Sequence, residues 1–245
     1  DVLSAKAIAL ANSAALSVTD SGASVISGVI SGVATTLTKA GDGTLTLTGA
    51  NTYTGATTID AGTLRVLGDT SSAANTTSGY SGSGGALLIE PVSASFSGAF
   101  AFNKPVSGSL SALTIGKPNN LADITLGGAT STAGPITVYG GNVAVNANLS
   151  TTNTTNGDVS ITASTGLSGS GNIALADGRT LTVDQAGSTI YNGAISGTDA
   201  NFVKNGVGDL GLGGASTYGG STTVNAGVLS LAAADRLPDT TALTV

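Results

Sequence analysis

Residues 37–66, LTKAGDGTLTLTGANTYTGATTIDAGTLRV, and 202–231, FVKNGVGDLGLGGASTYGGSTTVNAGVLSL, align without a gap at an offset of 202−37=165, and fifteen of the thirty positions are identical. The shared positions are Lys39/Lys204, Gly41/Gly206, Gly43/Gly208, Gly49/Gly214, Gly55/Gly220, Gly62/Gly227, three leucine pairs and Tyr53/Tyr218 among others. Upstream, Ile30-Ser31-Gly32 stands opposite Ile195-Ser196-Gly197, which extends the copies to 25–66 and 190–231. Glycines and alternating aliphatics belong to turns and core rather than to reactive groups. A unit that repeats them can bury its apolar side only against neighbouring units, which predicts a stacked solenoid.

Composition says which kind. Glycine supplies 37 of 245 residues, charged residues only 9% and apolar residues 40%, so the chain is too apolar for disorder. The apolar residues are chiefly Val, Ile, Leu and Ala and alternate with Ser, Thr and Asn, the pattern of half-buried strands. Strand-like segments recur at a nearly constant offset: 143−124=19 from Ile124 to Val143, 159−136=23 from Ile136 to Val159, 181−159=22 from Val159 to Leu181, and 195−173=22 from Ile173 to Ile195. These spacings predict an all-β fold, a parallel β-helix of about eleven coils forming a rod ~50 Å long at ~4.8 Å per coil. It is read as one continuous segment over 1–245. The alanine-rich stretch 3–16 lacks a 3.6-residue stripe and is read as strands.

Two stretches break the pattern. Residues 68–85, polar and glycine-rich, are expected to form a loop insertion leaving the rod. Residues 90–118 hold Pro91, Pro105 and Pro118 with Phe96, Phe100 and Phe102, which suggests an edge or boundary. Function on solenoids concentrates in insertions, so Tyr80, Phe96, Phe100 and Phe102 are the candidate partner surface, although core filling by the phenylalanines with a solvated loop is the favoured reading.

The pattern Lys39-x-Gly41-x-Gly43-x-Leu45-x-Leu47-x-Gly49, followed by Tyr53, Gly55, Thr57-Thr58 and Ala61-Gly62-Thr63-Leu64, resembles the passenger-associated transport repeat of bacterial autotransporters. The second copy resembles it through Lys204, Gly206, Gly208, Tyr218, Gly220, Thr222-Thr223 and Ala226-Gly227, and departs from the first at Val207, Gly211 and Gly213. The middle of the chain, around 136–143 and 156–161, is similar in texture to filamentous-haemagglutinin-like adhesins of two-partner secretion. The resemblance implies a right-handed β-helix, extracellular or on the bacterial cell surface, exported by outer-membrane translocation machinery. It implies a stalk and adhesive surface serving adhesion or biofilm formation, with a surface glycan or protein as receptor. Further coils of the same protein are expected at both ends, and the absence of methionine, including at position 1, suggests a piece of a longer product.

The chemistry available agrees with a non-enzymatic role. There is no histidine or cysteine, which removes Ser-His-Asp, Cys-His and soft-metal sites. Glu90 is the sole glutamate and the aspartates are scattered, so the carboxylate pair of a carbohydrate-active β-helix enzyme is not evident, although that enzyme stands as the alternative. Asp42 between two glycines is a conceivable calcium ligand, but valine replaces it in the second copy and turn chemistry explains it. The threonines at 44, 46 and 48 resemble an ice-binding rank, which glycines 211 and 213 interrupt in the second copy. Tyr53 and Tyr218 are expected to pack over a turn, and Lys39 and Lys204 to lie at the surface or bond a carbonyl. No cofactor is expected. Eight basic against fourteen acidic residues, a net charge of −6, argue against a nucleic-acid partner. No apolar run is long enough for a membrane-spanning segment.

Overall fold

The computed structural model describes residues 2–71 and 77–245. Among them there is no α-helix, and every strand pairing is parallel. Among the described residues no helix is long and apolar enough to cross a membrane. The strands stack in three faces. One coil shows the layout: Thr130–Thr132 lies on the first face, the first half of Ile136–Val145 on the second, its second half on the third, and Leu149–Thr151 is back on the first.

The second face runs the whole length, twelve strands from Val2–Ser4 to Leu243–Thr244, so the rod has the eleven coil steps expected. The first face holds nine strands from Ala15–Thr19 to Ile195–Ser196. The third, among the described residues, holds the pair Ile8–Ala9 and Ile30–Ser31, onto which 52–54 hydrogen-bonds, and the strands from Phe100–Phe102 through Ile124–Leu126 to Thr189–Tyr191, Asp209–Leu212 and Val228–Leu231. All four pairings anticipated from spacing occur: Ile124 with Val143, Ile136 with Val159, Val159 with Leu181 and Ile173 with Ile195.

Strand alternation sends every second side chain inward, and parallel registration stacks it on its counterpart in the next coil. On the second face this builds the ladder Leu45–Leu64–Leu87–Leu113–Ile136–Val159–Leu181–Phe202, all buried. Each such side chain contributes about 1.5–3 kcal/mol of burial. The outward ladder beside it reads Thr46–Arg65–Leu88–Thr114–Thr137–Ser160–Thr182–Val203. The threonine rank is therefore broken by Arg65, Leu88, Ser160 and Val203, whereas Gly211 and Gly213 lie elsewhere.

They lie elsewhere because the two repeat copies occupy different faces. The first copy starts on the first face with Thr36–Ala40 and passes to the second with Thr44–Leu47. From Thr36–Ala40 the first face is stacked by seven more strands up to Ile195–Ser196; the second copy then opens on the second face with Asn201–Asn205 and passes to the third with Asp209–Leu212. The offset between the copies thus spans seven coils and one further face. The coils between vary in length, from 149−130=19 for the step Thr130 to Leu149 up to 106−80=26 for the step Tyr80 to Val106, and their sum lands one face out of phase.

The expected insertion over 68–85 is smaller than proposed. Tyr80–Gly82 is a first-face strand registered between Thr57–Ile59 and Val106–Gly108, and Thr77 is fully buried. Tyr80 and Gly82 stack in columns whose inner positions take a ring and a glycine, which a reading of overall polarity cannot show. Residues 72–76 of that stretch lie outside the described residues. On either side of them the chain is tied down: Ser71 Oγ accepts from the Ala101 amide at 2.8 Å, and Thr77 Oγ1 donates to the Gly55 carbonyl at 2.7 Å.

Candidate functional site

The repeat itself is the first place to look, and in both copies it builds the same internal network. Lys39 follows Leu37 by two positions and therefore points inward, in the column Val18–Lys39–Ile59. Lys204 does the same between Val183 and Val224. Both side chains are fully buried, which corrects the surface placement, and both bond carbonyls. Lys39 Nζ donates to the carbonyls of Ala40 at 2.8 Å, Gly41 at 2.7 Å and, one coil on, Ala61 at 3.4 Å. Lys204 Nζ donates to those of Asn205 at 2.5 Å, Gly206 at 2.8 Å and Ala226 at 3.3 Å. The ammonium thus ties the turn of its own coil to the turn above.

The copies differ in what faces the ammonium. Asp20 Oδ1 lies 3.1 Å from Lys39 Nζ, a coulombic contact, since neither Asp20 oxygen has a hydrogen-bond partner. The equivalent position at 20+165=185 is Gln185, whose amide bonds the carbonyls of Gly187 and Asp209 at 3.0 and 2.8 Å. Without that close carboxylate, desolvation lowers the Lys204 pKa, partly offset by the charges of Asp184 and Asp209.

The tyrosines behave as expected of turn packing. Tyr53 Oη is hydrogen-bonded to Thr57 Oγ1 at 2.7 Å, Thr57 to Thr77 Oγ1 at 3.2 Å, and Thr77 donates to the Gly55 carbonyl at 2.7 Å. Tyr218, Thr222, Thr241 and Gly220 repeat the chain at 2.5, 3.0 and 2.8 Å. Thr77 and Thr241 are the members that the alignment of the copies misses, because they sit one coil beyond it. Replacing both tyrosines by phenylalanine is expected to lower stability by about 1 kcal/mol per site, read from the denaturant midpoint, because the threonine hydroxyls keep other partners.

Burial also pushes these phenols up: Tyr53 to about 12, with Tyr80, Tyr191 and Tyr218 raised in the same direction. The unfolded chain releases those protons near 10.0 while the folded chain holds them, so stability is lost as pH rises above 10.0. Lys204, with its lowered value, works the other way below 10.5, but it is one group against four. The urea midpoint should therefore fall steeply between about pH 10 and pH 11.5, with tyrosinate absorbance rising in step with unfolding.

Glycines fix the turns. Gly41 and Gly206 have φ of 75° and 74°, and Gly62 and Gly227 of 64° and 71°, one coil further on. Gly43, Gly55, Gly208 and Gly220 pass so close to the coil below that a Cβ would overlap its carbonyls or side chains. Asp42 lies exposed between two of them, and among the described residues no group of three or more Asp or Glu is placed to hold a metal ion.

The aromatic residues proposed as a partner surface are core. Tyr80, Phe96, Phe100 and Phe102 are 3%, 4%, 1% and 0% exposed. Phe96 stacks on Phe100 with centroids 4.0 Å apart, and Tyr80 packs on Phe102 at 5.9 Å. They fill the rod beneath Phe100–Phe102, a third-face strand paired with Ile124–Leu126, where the stacked rings bury a large apolar area.

The surface feature that sequence reasoning missed is a groove of about 410 Å³ along the corner between the second and third faces. One wall is an outward column, Tyr139–Thr162–Asp184, stacked by register. Gly140 and Ala163 form its floor, with Asn119 and Leu121 at one end and Val207 at the other. The available signal was the Gly140-Gly141 pair inside Ile136–Val145, which bends that strand around the corner and shifts the register between Gly140 and Asn142.

The passenger-associated-transport-repeat family matches residues 37–66 and 202–231, the two segments whose networks coincide. The chain is also similar to the adhesin BmaC autotransporter of Brucella suis biovar 1 (strain 1330), at 53% identity over 75 residues, 28% of this chain. The matched part spans about 2% of that relative's length. No solved structure matches.

Proposed function

We propose that this chain is a β-helical segment of an autotransporter passenger, carried outside the bacterial outer membrane, where it acts as a stalk and adhesive surface and catalyses no reaction. The observation that carries the reading is the twofold match to the transport repeat, with the same lysine and tyrosine networks rebuilt at both places. A rod held by parallel ladders and self-capping turns can be assembled coil by coil, each coil using the previous one as template. That suits a chain which must fold after passing a membrane unfolded. The similarity to a protein described as an adhesin supports the adhesive half. Against the enzyme alternative, the sole glutamate, Glu90, is paired with Arg65 Nε at 2.6 Å.

The test places the chain between a signal peptide and a translocating barrel in a non-adherent bacterium. Protease-accessible chain at the cell surface, with attachment to epithelial monolayers or biofilm above that of the barrel alone, is the expected result. Failure to reach the surface would sink the passenger reading; display without attachment would sink the adhesive one.

A further inference from the structure

We infer that the corner groove is a binding site for an uncharged oligosaccharide, held lengthwise along the rod with Tyr139 and Asp184 as its principal contacts. The inference deepens the adhesive reading and rests on it for its biological setting.

The groove crosses five successive coils, from 119–121 through 139–140, 162–164 and 184–186 to 206–207. At ~4.8 Å per coil that is ~19 Å between the first and last level, room for a short chain of rings rather than one. Its chemistry is mixed in the way a sugar requires. Tyr139 offers a partly exposed ring for the apolar face of a pyranose, while Asn119, Thr162, Ser164 and Asp184 offer hydroxyl, amide and carboxylate groups to its hydroxyls. The Asp184 carboxylate is exposed and stands at the groove wall, with lone pairs available to donors from a bound ring. Asn119 holds a φ of 71°, a left-handed conformation that asparagine tolerates, at the groove's mouth.

The same geometry disfavours other ligands. A peptide adding itself as a strand needs an open sheet edge, yet the backbone along this wall is already paired on both sides, Thr162 lying between Tyr139 and Asp184 in register. Recognition must therefore go through side chains. An anionic polymer would meet Asp184, the one charged residue among those lining the groove, on a chain of net charge −6. The floor is preformed, because Asn120 Nδ2 bonds the Tyr139 carbonyl at 2.7 Å and Gln185 Oε1 accepts from the Leu167 amide at 3.1 Å, fixing the strands on either side.

Saturation-transfer NMR on the purified chain tests this with cellotetraose, chitotetraose and lacto-N-tetraose as uncharged probes, the first two standing for microbial and matrix polymers and the third for animal glycans. Sialyllactose and an extended neutral peptide serve as contrasts. Transfer to at least one uncharged tetrasaccharide is expected, weakened roughly tenfold or more by Tyr139→Ala and several-fold by Asp184→Asn. Val207→Arg, at a side chain 76% exposed, fills the groove's end without touching the core and should block binding even if Tyr139→Ala is poorly folded. No transfer to any of the three sugars, transfer unchanged in Val207→Arg, or preference for sialyllactose or the peptide would overturn the proposal. Because soluble sugar and purified chain suffice, this failure is separate from any failure of surface display.

Discussion

Lys39→Met should cost about 3 kcal/mol of stability in a urea titration followed by circular dichroism, and Lys204→Met about half as much. Both substitutions nearly keep the volume of the buried side chain, so a cavity contributes little. Both strand three carbonyl contacts that bind the turn to the coil above. The difference comes from Asp20, 11% exposed and 3.1 Å from the Lys39 ammonium, which would be left as a charge without its counter-ion. Gln185 stands in its place in the second copy and loses nothing. The double variant Asp20→Asn/Lys39→Met should recover most of that difference. Equal costs for the two lysines would show that the ion pair contributes nothing and that the carbonyl bonds carry the whole effect.

Gly206→Ala should be more damaging than Gly178→Ala, by about 3 kcal/mol against about 1 kcal/mol, although both glycines have left-handed torsions. Their φ values are 74° and 68°, so the torsional cost is shared. A Cβ on Gly178 meets nothing within 4 Å, whereas one on Gly206 falls 2.7 Å from the Gln185 amide nitrogen and against the carbonyl of the same residue, both backbone atoms of the coil below. The excess therefore measures how tightly adjacent turns stack. Thermal melts of the two variants side by side would read it, and similar midpoints would mean that the turns can part at little cost.

Much of the rod was legible in the chain. Strands such as Thr63–Leu67, Ile124–Leu126 and Val228–Leu231 show their alternation openly, and the coil period fixed partners such as Ile124 and Val143. The inward lysines were legible too: in Leu37-Thr38-Lys39 and Phe202-Val203-Lys204 the lysine is in phase with a core residue, and only the habit of placing lysine outside concealed it. Tyr80–Gly82 was hidden because its strand carries a single large side chain beside a serine and a glycine. The phenylalanines were open to two readings, a partner surface beside an insertion or core filling, and the rings stack on one another and fill the core. The groove's only signature was the Gly140-Gly141 pair, which marks a bend but not the residues that line it. Tyr139, Thr162 and Asp184 are neighbours only through register across two successive coil steps, a relation no local window contains.

The third-of-a-turn displacement between the repeats has a genetic corollary. An unequal exchange between these two stretches, which share fifteen of thirty residues, would excise everything from position 37 to position 201 in one event. Had the copies stood on the same face, such a deletion would simply shorten the rod. As they stand, every ladder downstream would be handed to its neighbour: the column begun by Thr36–Ala40 would continue into strands that formerly grew on the next side. The turns would still close, since lysine, glycine and tyrosine make the same bonds wherever they fall. Such a lineage could therefore change length and rotate whatever its outer surface displays in a single step, like a spiral stair rebuilt with its landing facing another wall.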